Sequence, residues 1–505
     1  MSTKIMMKMT YIGVNQTQMN RFSLFLIAFS CIMGLSAQES QYEAMKRELN
    51  ENSLPLVNLV VDKDCINKNE YVLGEIEIAD YLRRTDSSLE SVKFHCKYKI
   101  RGASSTKYQK KSYAVKLLDE SGENLDKNLF GIREENSWIL DAMSNDRIRM
   151  RNRVCFDVWN EVSKTPYQTD FENRNGTKGE FVEVFINGDY HGLYCMTDKI
   201  DRKLLNLKKT KVEDEDITVR GLLYKGISWG SGSKLLSYEK ANTNNDTWNA
   251  WELQYPDDYP SKKTWQPLMD LIDFCSESTS DEVFNQKYIE YFYPDNLAEY
   301  VIFTMALNVG DNAYKNTFLS TANITKGHRY LVSPWDMDMS LGGYWNGEYY
   351  DVLTNMNRYN GVAPFNRLLV YNVDGFNNLV WDKWKEYYTT VLSVKSICDK
   401  LNDYANKFET SGAWKREVEK WDKNPVPLKE SLSDELEYVQ EWYVRNYTYL
   451  CQQFGTSVPN QIDNMIAEDT QFHIYTLDGK TVNSLPRGMN IIRYSDGSVK
   501  KFFVK

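Results

Sequence analysis

Cysteine pairs, histidine and excess positive charge are all scarce in this 505-residue chain, and each shortage closes off a class of function. The eight cysteines, at positions 31, 65, 96, 155, 195, 275, 398 and 451, form no C-x-x-C pair. So scattered a set suits neither a full disulfide framework nor a cysteine zinc site, and most of it reads as small buried hydrophobes. The four histidines (His95, His191, His328, His473) are equally dispersed, which leaves little for histidine-based metal or acid–base chemistry. Basic residues number 61 against 70 acidic ones, a net charge of −9 that argues against a nucleic-acid partner. No internal repeat is found, and no apolar stretch of membrane-spanning length occurs beyond the N-terminus. What the chain does have is aromatics, 13% of residues, whose flat amphipathic side chains suit grooves as well as cores.

The one long apolar run, "FSLFLIAFSCIMGLSA" at 22–37, follows Lys4, Lys8 and Arg21. It is short and terminal, so residues 1–37 read as a signal peptide cleaved after Ala37, with the mature protein exported to the cell surface or beyond. A rival reading lipidates Cys31, although Ala28-Phe29-Ser30 makes a poor lipobox. Residues 38–53 read as a polar linker.

From 54 the pattern is strand-like: "LPLVNLVVD", "YVLGEIEIAD", "VKFHCKYKIRG" and "KSYAVKLLD" are β-branched and nearly alternating. "RIRMRNRVCFDVWNEV" (147–162) has a helical stripe. "GEFVEVFINGDYHGLYCMTD" (179–198) reads as a hairpin turning at Asn187-Gly188. The second half is helical. "PDNLAEYVIFTMALNVG" (294–310) is expected to stop at Gly310, and the helix of 432–454 to be capped by Ser431 with Asp434. A linker at 456–470 leads to a small β module at 471–505, with turns at Asp478-Gly479 and Asp496-Gly497. Strands first and helices later favour an α+β domain of two lobes, spanning 54–455, over an alternating parallel sheet.

Three stretches carry candidate chemistry. In "NVGDNAYKNTFLS" (308–320), Asp311 and Asn316 lie five apart after a helix. This is the spacing at which a protein-kinase catalytic loop places the Asp that accepts a hydroxyl proton and the Asn that holds magnesium. The same pair could simply turn the chain. In "HRYLVSPWDMDMSLGGYW" (328–345), a strand stopped by Pro334 delivers Asp336 and Asp338 as hard oxygen ligands suited to magnesium, and Gly342-Gly343 would allow a mobile turn. In "YKIRGASSTKYQKKSYAVKL" (98–117), a small polar turn with Ser104 and Ser105 sits between Arg101 and the lysines Lys111 and Lys116, a setting able to hold phosphate. It has neither the Walker pattern nor G-x-G-x-x-G. Each stretch is weak alone. In this order they make phosphoryl transfer the leading reaction class.

These residues, with "SWILDAMSNDRIRMRNRVCFDVW" (137–159), "VEVFINGDYHGLYCMTDKID" (182–201) and "WELQYPDD" (251–258), resemble the CotH kinase family over roughly 54–455. The resemblance implies an atypical, two-lobed protein-kinase-like domain that uses ATP with magnesium or manganese to phosphorylate protein substrates, typically on serine. Carried over, Asp311 is the catalytic residue, Asn316 and Asp336 are metal ligands with Asp338 a further candidate, and the hairpin of Arg101, Ser104, Ser105, Lys111 and Lys116 holds the nucleotide phosphates. Ala103 replaces a common Asn, and His191 and Asp198 replace Tyr and Glu; the shorter Asp198 is expected to weaken any ion pair there. The tail resembles type IX secretion sorting domains through "IYTLDGKTV", "LPRGMNIIRY" and "VKKFFVK", which implies a secretion-machinery partner. The competing reading is a non-catalytic surface adhesin or carbohydrate-associated accessory module on the same fold. Retention of Asp311, Asn316 and Asp336 favours the enzyme. A glycosidase using Asp336 would need a second carboxylate at a defined separation.

Overall fold

Alternation decides the first half of the molecule. In residues 92–101, Phe94, Cys96, Tyr98 and Ile100 face a dry interior, while Lys97, Lys99 and Arg101 face outward. The computed structural model describes residues 39–81, 91–170, 173–213, 216–239, 244–422, 425–459, 472–476, 479–482, 488–494 and 499–504. In it, strands of this kind curl into a closed barrel. Its first four are β1 (Leu56–Val60), β2 (Val72–Ala79), β3 (Val92–Arg101) and β4 (Ser112–Leu118). A two-residue pair, β5 (Lys127–Asn128) and β6 (Glu134–Glu135), stands outside it. Then come β7 (Ser137–Asp141), β8 (Gly179–Ile186) and β9 (Asp189–Thr197), giving the order β1-β2-β3-β4-β7-β9-β8. The ring closes by the parallel pairing of β1 with β8, Leu56 opposite Glu183. Val57, Ile76, Tyr98, Val115, Trp138, Val184 and Tyr194 fill the interior.

The fold begins before residue 54. Inside the segment read as a linker, helix α1 (Gln41–Arg47) is capped by Ser40, whose Oγ accepts from the Glu43 N–H at 3.2 Å. Tyr42 is buried edge-on against Phe185, and its N–H donates to the Gly188 carbonyl at 3.0 Å. One apolar face, Tyr42 and Met45, was enough to dock a short polar helix. The hairpin turn itself is as expected: Asn187 and Gly188 both take positive φ, 53° and 85°. A Cβ at Gly188 would lie 2.6 Å from the Ser40 Cβ. Gly188→Ala is therefore expected to lower stability by about 1–3 kcal/mol, read by urea unfolding, and to loosen α1.

Helix α2 (Arg151–Val162), inserted between barrel strands β7 and β8, packs into a second layer. A ribbon, β10 (Lys211–Glu213) and β11 (Asp216–Thr218), precedes a five-stranded antiparallel sheet. That sheet contains β12 (Leu222–Gly226), β13 (Thr247–Trp248), β14 (Trp251–Tyr255), β15 (Thr317–Thr321) and β16 (Leu331–Pro334), in the order β13-β14-β12-β15-β16. Around it pack α3 (Lys262–Cys275), α4 (Asp281–Tyr291), α5 (Pro294–Ala306), α6 (Phe365–Val370), α7 (Phe376–Tyr387), α8 (Val394–Thr410), α9 (Ala413–Trp421) and α10 (Leu432–Gln453). The class is thus mixed α+β, strand-rich first and helical later, with one sheet carried into the helical part. A wholly buried charge cluster ties the two parts together. Glu417 of α9 accepts from Lys110 Nζ at 2.6 Å, from Arg149 Nε at 2.8 Å and from the Leu193 N–H at 2.8 Å.

Two helix ends differ from expectation. Helix α5 ends at Ala306, and Gly310 instead lets the chain approach the 337–341 segment, where a Cβ would meet Met339 at 2.5 Å. Ser431 precedes α10 but bonds Ser433 rather than capping it. Cys96, Cys155, Cys195, Cys275, Cys398 and Cys451 are buried thiols in no disulfide, as read. Among the described residues no helix is long and apolar enough to cross a membrane. The tail carries a four-stranded sheet from β17 (Phe472–Thr476), β18 (Thr481–Val482), β19 (Gly488–Tyr494) and β20 (Val499–Val504), ordered β18-β17-β19-β20. Residues 1–37 with their Ala37 cleavage site, most of 456–470, and Asp478, Asp496 and Gly497 of the tail turns lie outside the described residues.

Candidate active site

The neighbouring strands β15 and β16 place the two acidic stretches side by side. Phe318 pairs with Ser333 and Thr317 with Pro334, so Asn316 falls opposite Trp335, one residue before Asp336. Asn312, fully buried between them, clamps the arrangement: its Nδ2 donates to the Asn316 and Trp335 carbonyls, both at 2.8 Å. The Trp335 N–H also donates to the Asn316 carbonyl at 2.9 Å. Asn316 and Asp336 both sit at φ 54°, as do Met143, Arg149 and Leu341 nearby at similar positive angles. Left-handed backbone at non-glycine residues costs of order 1–3 kcal/mol each, and its concentration here marks a locally strained surface.

Charge is concentrated at the same place. Asp336 meets solvent on one side but is otherwise enclosed by protein. Enclosure pushes its pKa up, Arg101 and Lys225 oppose that shift, and Asp141 and Asp311 add to it. Asp338 is raised well above the usual carboxylate range by burial and by Asp336. Asp311 is partly buried and ion-paired to Lys315, Nζ to Oδ2 at 2.7 Å. Four carboxyl groups crowded together require cations, and two hover over one ring: the Arg101 guanidinium lies 5.7 Å and the Lys225 Nζ 5.8 Å from the Trp335 centroid.

The wall of this cleft is the outer face of the barrel. Lys97 and Lys116 face each other directly across β3 and β4, a like-charge pairing that is unfavourable by itself. Together with Lys99 they gather around Tyr71, at 4.8–5.7 Å from its ring. Burial depresses Lys116, and Lys199 and Lys97 depress it further, against the pull of Asp257. A basic strip ending at Arg101 thus leads to the acidic loops, which is the charge order that a phosphate chain with a cation would match.

The segment between β7 and α2 holds the loops in register. Asn152 donates to Asp141 at 3.1 Å and accepts from the Met337 N–H at 3.1 Å, linking the barrel to the acidic loop. Asn145 donates to Asp338 at 2.6 Å and to the Trp345 carbonyl at 2.8 Å. Asp146 accepts from the N–H groups of Met150 and Arg151 at 2.8 and 2.7 Å and pairs with the Arg151 side chain.

Asp311, Asn316, Asp336, Asp338 and Arg101 therefore meet, and Lys116 stands on the adjoining wall. Ser104 is exposed and Ser105 half-buried in the β3–β4 turn, whose Tyr108 feels Asp338. Lys111 is not brought to the cleft: its Nζ donates to the Thr106 carbonyl at 2.7 Å and closes the turn internally. Gly342 and Gly343, expected to allow a mobile turn, are closely packed: a Cβ at either would lie 2.8 Å from Trp442 or Arg151. Nor is Asp198 weakly paired: it is fully buried between Arg133 and Arg174, with contacts of 2.7 and 2.6 Å. Sequence reasoning missed Lys225, Asp141, Asn145, Asn152 and Asn312. The motif at 137–159 contained three of them without indicating their partners. Among the described residues no three His, Cys, Asp or Glu side chains form a preformed metal cage. Two carboxylates and an amide nevertheless fit magnesium, which fills its shell with water and phosphate oxygens.

Comparison with known families gives one match. The family described as CotH kinase protein matches residues 98–450, more than two thirds of the chain and every element of this cleft except Tyr71 and Lys97. No curated protein matches the chain.

Proposed function

The chain belongs to the CotH kinase protein family, and from that premise we propose that it is an atypical protein kinase, moving the γ-phosphoryl group of ATP to a hydroxyl, typically serine, of a protein substrate. The barrel and the helical part act as the two lobes. The observation that carries this reading is the meeting of Asp311, Asn316, Asp336 and Asp338 with Arg101 and Lys225 in one cleft. Asp311 accepts the acceptor hydroxyl proton and orients its oxygen. Arg101, Lys116 and Lys225 hold phosphate oxygens. Asn316, Asp336 and Asp338 would hold magnesium or manganese, which supplies neutralisation of phosphate charge. Lys315, whose Nζ donates to Asp311 Oδ2 at 2.7 Å, holds the base in one orientation.

The primary test incubates the full chain with γ-labelled ATP and Mg²⁺ or Mn²⁺ and reads self-labelling; absence of metal-dependent ATP binding overturns the reading. A finer prediction separates the basic residues. Arg101→Ala and Lys225→Ala each remove a charge-assisted contact of about 1.5–3 kcal/mol, so ATP should bind roughly 10–100-fold more weakly by calorimetry. Lys111→Ala should leave ATP affinity unchanged, because Lys111 serves its own turn. We further propose that the N-terminal segment directs export and that the C-terminal β module engages a type IX secretion machinery. Support comes from the charged-then-apolar pattern at 4–37 and the tail motifs. Deleting residues 471–505 should retain the protein inside the cell without lowering the melting temperature of the remainder.

A further inference from the structure

A second concavity lies apart from the acidic cleft, bounded by α5, α6, α7 and the end of α10, with a volume of about 540 Å³. That is within the range of roughly 300–1,000 Å³ typical of small-molecule sites. Its composition is unusual. Of sixteen lining residues none is charged, and six are carboxamides. The amides of Asn357, Asn360, Asn366, Asn378 and Gln453 bond to no other protein group among the described residues. Each presents a paired donor and acceptor. The floor is apolar, with Met305, Leu369 and Val380. At the rim stands Trp381, 39% exposed. Its indole N–H is fixed on the Phe454 carbonyl at 2.7 Å, and the Lys385 ammonium lies 3.2 Å from its ring centroid. The ring is thereby held in one orientation.

We infer that this groove binds a neutral carbohydrate. An anionic ligand would call for Arg or Lys in the lining, where none stands; the ammonium of Lys385 at the rim is already engaged on the Trp381 ring. A purely apolar ligand would strand the five amides without partners. A peptide strand would look for a sheet edge to extend, whereas helices and loops line this site. A pyranose satisfies all three conditions: hydroxyls that donate and accept, a C–H face for an aromatic ring, and no charge. The groove shares helix α5 with the catalytic loop, yet none of its lining residues belongs to the acidic cleft, so the inference stands without the kinase reading.

The test is isothermal titration of the full-length chain with neutral hexasaccharides of β-linked and α-linked glucose, of mannose and of N-acetylglucosamine, with polygalacturonate oligomers as the charged counterpart. At least one neutral oligosaccharide should bind, and the charged one at least tenfold more weakly. Trp381→Ala should abolish binding. Because Trp381 also holds the end of α10, the double variant Asn366→Ala/Asn378→Ala is measured beside it. It should weaken binding at least tenfold at an unchanged melting temperature, with Mg–ATP binding unaffected. Binding by none of the neutral sugars, equal binding of polygalacturonate, or full binding by the double variant would each overturn the assignment. So would capture of a peptide displaced by no sugar.

Discussion

Asp311→Ala should lower phosphoryl-transfer turnover roughly 10²–10⁴-fold while ATP still binds, the range lost with a general base. The geometry separates this defect from that of its neighbour. Asp311, the proposed base, is held by an ion pair with Lys315, whose Nζ donates to its Oδ2 at 2.7 Å. Asp336, the proposed metal ligand, feels Arg101, Lys225, Asp141 and Asp311 at once. Asp336→Ala should therefore remove Mg²⁺-dependent nucleotide binding together with turnover, because phosphate charge is left without its metal. Asn316→Ala should resemble Asp336→Ala. Measuring nucleotide affinity and turnover on the same preparations resolves the two patterns. Equal and small losses in all three variants would reduce the cluster to a solvated loop.

The largest stability effect is expected at Glu417. Its single carboxylate sits against two buried cations, Lys110 and Arg149, all without solvent. The pair behaves unevenly: burial raises and the two cations lower the Glu417 pKa, with a net fall, whereas Lys110 is pushed down to about 7 by burial and the Arg149 charge despite Glu417. One carboxylate cannot fully neutralise two cations in a dry site. Glu417→Ala leaves both unpaired and should cost about 3–5 kcal/mol in denaturant unfolding. Lys110→Met removes the surplus cation and should cost far less. The pH dependence follows in sign. Above pH 7 the folded chain has released the Lys110 proton that the unfolded chain keeps up to the ordinary lysine value. Stability from this group therefore rises with pH across that window. Lys110→Met should flatten that slope, and an unchanged slope would place the titration elsewhere.

Local pattern made much of this legible. The 179–198 hairpin was readable because Asn-Gly at positive φ leaves few alternatives between alternating runs. The helices at 151–162 and 294–306 were readable from their apolar stripes. The acidic loops were readable because five-residue spacing and a proline-stopped strand are local facts. What escaped was set by partners distant in sequence. Lys225 looks like one lysine in a short strand until Trp335, 110 positions on, is folded beneath it. Lys111 and Lys116 look equivalent in sequence, but the turn captures one and the sheet presents the other. Asp198 gains its second guanidinium from Arg174, across the whole β8–β9 hairpin. Helix α1 was hidden because a seven-residue polar segment becomes helical only when a barrel offers Phe185 and Tyr190 to cover Tyr42.

Closure of the barrel also sets an order of events for the nascent chain. β1 emerges among the first folded segments, yet its parallel partner β8 lies some 127 positions later, Leu56 meeting Glu183. At synthesis rates of roughly 5–20 residues per second, β1 waits on the order of 10 s for that partner. During this interval Leu56, Val57 and Leu59, all buried at the end, have only the strands up to β7 for cover, and one margin of β1 stays open. A holdase that keeps the chain extended until residue 197 is available would raise the yield of folded protein, and slowing elongation between 101 and 179 would lower it. The same ring that later offers neighbouring molecules no margin to pair with stands open along one strand while it is being built.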